Sequence, residues 1–209
     1  LDAQPMGFYS PATLVEDARR HGVEVRPIDV LHSEWNCTLE PRAIEGGAGG
    51  PAPEDRWALR MGLRWIKGLQ ARDVAALLEA RAARKTQARG RWRDLDELTR
   101  ETGLARKPLL LLAEAGALEG FDRAARAIGD RSSTRRDAAW AARGALTRAG
   151  DSLPLRGEAS EQQPNFGRLD RDEAMLWDYR TSLHSTRGHP LETLRPALDE
   201  LGYPSADRL

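Results

Sequence analysis

The stretch that decides the fold reads Leu63-Arg64-Trp65-Ile66-Lys67-Gly68-Leu69, and a helix-patterned run from Asp73 to Arg81 follows it. This pattern predicts a helix, a tight glycine turn and a second helix. A turn of this kind points backbone N–H groups outward at the start of a helix, where the dipole is positive and a phosphate can bind. The alternative is a plain helical hairpin in which Gly68 only ends the first helix.

Basic residues are concentrated around this turn. Between Arg60 and Arg93 there are ten Lys or Arg residues and two acids, whereas the whole chain carries 32 basic and 32 acidic residues. The excess is therefore local, and it indicates a nucleic acid bound through its phosphate backbone. The ten basic residues are Arg60, Arg64, Lys67, Arg72, Arg81, Arg84, Lys85, Arg89, Arg91 and Arg93.

A second unit of the same kind follows. Asp94 is a candidate N-cap for a helix, Gly103 makes the turn, and a helix from Lys107 to Glu114 ends at Gly116. The second turn follows an acidic stretch, so only Arg106 and Lys107 are candidates for phosphate contact, and a purely packing role is the alternative. The two units, 63–81 and 95–116, indicate an internal duplication of about thirty residues.

Size and composition set the wider class. The chain has 209 residues, enough for one ordinary domain or two small ones, and no apolar run of membrane-spanning length. The lone Cys37 excludes an internal disulfide and, with no secretory pattern at the first residues, predicts a cytoplasmic protein.

The rest of the chain reads as mainly α-helical. A short strand is predicted at 23–26, a Gly- and Pro-rich boundary at 46–53, apolar alternation at 57–61 and a basic loop at 82–91. Helices are predicted at 12–21, 123–129, 132–148, 170–183 and 191–202, with a linker at 149–168.

Several motifs resemble one known family. Gln4-Pro5-Met6-Gly7-Phe8-Tyr9, the run 17–27 and Trp35-Asn36-Cys37-Thr38-Leu39-Glu40 resemble the end of the fingers region of bacterial C-family replicative DNA polymerases, in particular the error-prone branch of the polymerase III alpha-subunit family. Ile66-Lys67-Gly68-Leu69, Ala115-Gly116-Ala117-Leu118 and Arg187-Gly188-His189-Pro190-Leu191 continue the resemblance in the same order.

The resemblance implies an internal piece of a longer polymerase. The implied organisation is a fingers end at 1–55, a tandem helix-hairpin-helix domain at 56–120, a helical extension at 121–150, a linker at 151–168 and helices leading toward an OB domain at 169–209. The palm domain, whose aspartates hold Mg²⁺ for nucleotidyl transfer, would precede this chain, so no catalytic residue, metal ligand or cofactor is expected in it.

Phosphate contacts are expected from both hairpins. Gln70 stands where hairpins of this family usually have a second glycine, and its side chain can itself contact phosphate. The expected residues are Arg64, Lys67, Gly68, Leu69, Gln70, Arg72, Gly103, Arg106 and Lys107.

Other candidate sites have simpler explanations. Asp94/Asp96 and Asp170/Asp172 have the spacing of a two-metal pair, but each pair precedes a helix, where carboxylates cap. Aromatic stacking on bases is the alternative to core packing for two tryptophans, Trp65 and Trp92. The histidines, even with Cys37, match no compact metal site.

The sequence therefore predicts the duplex-gripping part of a damage-induced, translesion DNA polymerase. It would bind primer–template phosphates without reading sequence. Further expected partners are accessory translesion proteins and a sliding clamp, since 151–155 resembles a clamp-binding peptide. The rival hypotheses are a stand-alone, non-enzymatic helix-hairpin-helix DNA-binding module and a protein-interaction scaffold.

Overall fold

The protein is mainly α-helical with one small sheet, as predicted. The computed structural model describes residues 1–4, 7–42, 57–121, 135, 137–140, 142–143 and 169–205. The predicted helix 123–129, the linker, the 151–155 segment and most of the predicted helix 132–148 lie outside these residues. In chain order, the elements are α1 (Pro11–Arg20), β1 (Glu24–Arg26), β2 (Thr38–Pro41), β3 (Trp57–Arg60), α2 (Ala71–Thr86), α3 (Leu95–Thr102), α4 (Arg106–Glu114), α5 (Arg171–Ser182) and α6 (Pro190–Glu200).

The sheet has the order β1-β3-β2, with β1 parallel and β2 antiparallel to β3. The sequence predicted β1 and no more than one small strand pairing, so the third strand is a difference. Glu40 on β2 accepts hydrogen bonds from Arg26 on β1 and Arg60 on β3, at 2.8 Å and 2.9 Å. Such cross-strand ion pairs stabilise a sheet without leaving an apolar alternation in the sequence.

The first arm of the first hairpin is not an α-helix, and here the sequence prediction was wrong. It is a 3-10 turn, Leu63–Trp65. Its backbone is hydrogen-bonded to a segment that lies before it in the sequence. Leu63 N–H donates to Glu34 O at 2.9 Å, and Arg64 N–H donates to Trp35 O at 3.1 Å. Gly62 permits this approach, since a Cβ there would lie 2.4 Å from the backbone of Asn36.

Helix α2 also runs five residues further than predicted. It ends at Thr86, so the loop that the sequence placed at 82–91 begins only at residue 87. Four of these five residues, Ala82 to Lys85, are strong helix formers. Their charge suggested a loop, but their propensity and their packing against α3 favour the helix.

The second hairpin agrees with its prediction. Asp94 Oδ1 accepts from Glu97 N–H at 2.7 Å and caps α3, and Gly103 follows α3 in the left-handed region with φ +61°. Helix α4 then ends before Gly116, which has φ +73°.

One hydrophobic core joins the hairpins to the N-terminal segment. Val30 N–H donates to Ala117 O at 2.9 Å and connects the two regions through their backbones. The predicted boundary at residue 55 therefore crosses a shared core, and the boundaries themselves stay predictions. Buried members of this core include Val15, Ile28, Val30, Met61, Leu77, Leu98, Leu109 and Leu112.

The C-terminal helices α5 and α6 confirm the predictions for 170–183 and 191–202. Helix α5 packs against α4, and an ionic network lies beside this contact. Buried Asp178 accepts hydrogen bonds from Arg135 and, at 2.7 Å, from Ser185. Arg135 and Arg187 both reach Glu119, at 2.9 Å and 3.0 Å. No helix in the described part of the chain is long and apolar enough to cross a membrane.

Candidate nucleic-acid interface

The turn of the first hairpin presents Lys67 and Gly68 to solvent. Gly68 has φ +79°, a backbone conformation that residues other than glycine rarely adopt. Its neighbours Ile66 and Leu69 are buried and anchor the turn in the core. Leu69 therefore anchors the turn, and its buried side chain exposes little surface to a ligand.

The amides of this turn are largely used within the protein. Lys67 N–H donates to Thr181 O on α5 at 2.9 Å, and Gln70 N–H donates to Asp73 Oδ2 at 3.0 Å. The carboxylate of Asp73 thus takes the position at the start of α2 that an anion would occupy. This turn therefore offers a phosphate mainly positive charge. The charge comes from Lys67 and from Arg72, whose side chain is 81% exposed.

The turn of the second hairpin leaves a helix N-terminus open. Ala105 caps α4 without a side-chain hydrogen bond, and the first turn of α4 contains no acid. Arg106 and Lys107 occupy this first turn and are exposed. The acids that precede this hairpin lie elsewhere: Asp94 caps the opposite end of α3, and Glu101 faces α2. The positive end of the α4 dipole therefore has two cations beside it and no capping carboxylate.

The turn of the first hairpin lies beside helix α4 of the second. A Cβ built on Gly68 would meet Leu111 Cδ1 of α4 at 3.7 Å, which is an ordinary packing distance. Leu111 also lines a shallow groove of about 400 Å³ along α4. We call this surface, formed by the Lys67-Gly68 turn and the exposed side of α4, the hairpin face. The groove is lined by Arg106, Lys107, Leu110, Leu111 and Glu114.

Four of the ten clustered basic residues serve the fold. Arg60 pairs with Glu40 at 2.9 Å, and Arg81 pairs with Glu34 at 2.7 Å. Buried Arg84 pairs with Glu97 and Glu101. The guanidinium of Arg64, a predicted phosphate contact, donates to Asp2 O at 3.1 Å and to Asn36 Oδ1 at 3.3 Å. The six that remain exposed are Lys67, Arg72, Lys85, Arg89, Arg91 and Arg93.

Both tryptophans near the hairpins pack on the hydrophobic core, Trp92 within it and Trp65 against it. Trp92 is buried, its indole N–H donates to Glu101 Oε2 at 2.8 Å, and the guanidinium of Arg84 lies 5.5 Å from its ring centre. Trp65 is half-buried and meets His184 edge to face, with ring centres 6.5 Å apart. The packing interpretation is confirmed for both rings. Burial lowers the pKa of His184, which favours its neutral form in this contact.

The first aspartate of each pair is a helix cap, and the second lies in the first turn of the same helix. Asp170 Oδ1 accepts from Glu173 N–H at 2.7 Å at the start of α5, just as Asp94 caps α3. Within the described ranges, no group of three or more His, Cys, Asp or Glu side chains is arranged to hold a metal ion. Sequence reasoning missed the role of Asp73, although the capping box that it forms with Gln70 is a local pattern. It also missed Thr181, because the contact of Thr181 with the turn spans more than a hundred residues.

Comparison with known families agrees with this geometry. Residues 22–128, about half of the chain, match the family of the helix-hairpin-helix motif. The chain belongs to this family. The match includes both hairpins and also the small sheet, so it begins well before the domain boundary that the sequence predicted.

The chain is similar to part of several longer curated proteins. The chain is 36% identical to an error-prone DNA polymerase of Methylococcus capsulatus, over 100% of the chain and 19% of that protein. It is 42% identical to an error-prone DNA polymerase of Alkalilimnicola ehrlichii, over 95% of the chain and 17% of that protein. A third, from Azoarcus sp., is 38% identical over 95% of the chain. The chain spans less than a fifth of the length of these curated relatives.

Proposed function

We propose that this chain is the duplex-gripping part of an error-prone DNA polymerase. It would hold primer–template DNA through phosphates, without reading bases. The observation that carries the proposal is the hairpin face, which combines exposed Lys67, the uncapped start of α4 and two cations, Arg106 and Lys107. Similarity to error-prone DNA polymerases along the whole chain supports the assignment.

Within this proposal the two hairpins contribute differently. The first supplies mainly charge, because three of its amides, those of Lys67, Leu69 and Gln70, already donate within the protein. The second supplies both charge and a helix N-terminus. We therefore place the stronger phosphate contact at Arg106 and Lys107 and a supporting contact at Lys67 and Arg72.

The remaining parts of the proposal concern the whole polymerase. It would carry out template-directed nucleotidyl transfer in damage-tolerant synthesis in the cytoplasm, with Mg²⁺ held by residues outside this chain. Binding of a sliding clamp through 151–155, and of accessory translesion proteins, belongs to the same proposal. The chain's own residues would bind and orient the duplex and take no part in the chemical step.

The test is fluorescence anisotropy of the 209-residue chain with a labelled primer–template duplex at about 0.1 M salt. Lys107→Glu and Lys67→Glu should each weaken binding roughly tenfold or more, because each removes a phosphate contact and adds repulsion. The matched control is Arg20→Glu on α1, which makes the same charge change away from the hairpin face. Equal affinities for all four proteins would contradict the proposal and favour an interaction scaffold.

A further inference from the structure

A second basic surface lies away from the hairpin face. The segment 85–93, which we call the basic loop, comprises the last residues of α2 and the connection to α3. No acid occurs between residues 80 and 93. The hairpin face accounts for none of the cations of this loop, which are Lys85, Arg89, Arg91 and Arg93.

The main chain of the basic loop is held in place by buried groups. Arg84 Nε donates to Gly90 O at 3.1 Å, and a second guanidinium nitrogen donates to Arg91 O at 3.3 Å. Trp92 inserts into the core, and Arg93 N–H donates to Glu97 Oε2 at 2.7 Å. Because both ends and the middle of the loop are anchored, its cations project from a fixed backbone, and binding costs little ordering of the chain.

The charge of the loop is directed outward. Glu97 and Glu101 are turned inward to Arg84, and although they also touch Arg93 and Arg89, those side chains remain 80% and 54% exposed. Lys85 and Arg91 form no ion pair with any residue in the described part of the chain. Unpaired exposed cations on a rigid loop are available to an anionic partner.

We propose that the basic loop is a second phosphate-contacting surface for duplex DNA. The inference rests on the proposed function of the hairpin face, since both would hold one duplex. Helix α2 has 16 residues and separates the Gly68 turn from the loop by about 24 Å. Successive base pairs of a duplex rise about 3.4 Å along its axis, so two surfaces spaced by this distance along the axis would contact positions roughly seven base pairs apart.

The experiment measures the salt dependence of binding to a duplex of about 20 base pairs, long enough to reach both surfaces. The variant is Lys85→Gln/Arg91→Gln, which removes two charges and breaks no ion pair of the described structure. Its slope of log affinity against log salt should be smaller in magnitude by about 1.8, and its affinity at about 0.1 M salt should fall more than tenfold.

The matched control is Arg19→Gln/Arg20→Gln, which removes two charges from the last turn of α1. Thermal unfolding of each variant checks that it is folded. If the loop variant has the slope and affinity of the control while Lys107→Glu still weakens binding, the basic loop is not a DNA contact and only this inference fails. If the unaltered chain does not bind duplex DNA, the proposed function fails and this inference with it.

Discussion

At the residue scale, two glycines with similar backbones have different surroundings. Gly103 and Gly116 both lie in the left-handed region, at φ +61° and +73°. A Cβ on Gly103 would meet nothing within 4 Å, whereas a Cβ on Gly116 would lie 2.5 Å from Arg135 Nε. That guanidinium is pinned between Glu119 and Asp178, so it has no room to move aside.

We therefore expect Gly116→Ala to destabilise the protein more than Gly103→Ala. The backbone strain, about 1–2 kcal/mol, is common to both substitutions. At Gly116 the displacement of a buried, paired guanidinium adds about 1–3 kcal/mol. Urea unfolding of the two variants measures the difference, and equal losses of stability would show that Arg135 is not held as described.

The site residues show what a local pattern can and cannot predict. The positions of Gly68, Gly103, Asp94 and Asp170 were predictable, because turns and caps depend on residues within three or four positions. Which arginines face solvent was not predictable. Arg64 and the other arginines of the basic cluster look alike in sequence. Acids and carbonyl groups that are distant in sequence decide which of them face solvent.

At the element scale, the small sheet depends on one carboxylate. Burial alone would raise the pKa of Glu40, but hydrogen bonds from Arg60 and Arg26 outweigh it and lower the pKa to about 2. A carboxyl whose pKa is depressed in the folded state stabilises the fold above its unfolded pKa, and that stabilisation is lost as the pH falls toward the folded pKa. The relevant window therefore runs from about pH 4.5 to about pH 2.

Glu40→Gln should remove this part of the pH dependence. At pH 7 the variant should be less stable by about 1–2 kcal/mol, a figure reduced from the full shift because the carboxylate is partly exposed to solvent. Below about pH 3 the difference from the unaltered chain should be much smaller. Unfolding free energies measured at several pH values test this, and a difference that stays constant from pH 7 to pH 2 would contradict it.

Elements differ in how far the sequence predicted them. The helices α1, α3, α4, α5 and α6 follow from caps and apolar spacing. The 3-10 turn at Leu63–Trp65 and strand β2 do not, because each is stabilised by contacts with distant segments. The 3-10 turn is tied to residues 34–35, and β2 is tied to its neighbours by Glu40.

At the scale of the whole molecule, helix α5 and the residue His184 after it contact the first hairpin. Lys67 N–H bonds to Thr181 O, His184 packs on Trp65, and Asp178 ties α5 to Arg135. The position of the Lys67-Gly68 turn thus depends on residues more than a hundred positions away.

Asp178→Ala should release this connection. Removing one member of a buried ionic network costs about 3–5 kcal/mol, since it leaves Arg135 poorly compensated. Amide hydrogen exchange should quicken both in α5 and at Lys67, whose N–H is bonded to α5. The control is Leu176→Ala on the exposed side of α5, expected to change stability by less than about 0.5 kcal/mol. Unchanged exchange at Lys67 in the Asp178 variant would show that α5 does not hold the turn.

The most direct measurement of the central claim is the salt dependence of duplex binding with two unrelated DNA sequences. We expect log affinity to fall linearly with log salt, by about 0.9 per phosphate contact, with the same slope for both sequences. In Lys67→Glu/Lys107→Glu the slope should be smaller in magnitude by about two contacts' worth, roughly 1.8. Binding that does not respond to salt, that differs strongly between the two sequences, or that is unchanged in the double variant would contradict a phosphate grip at the hairpin face.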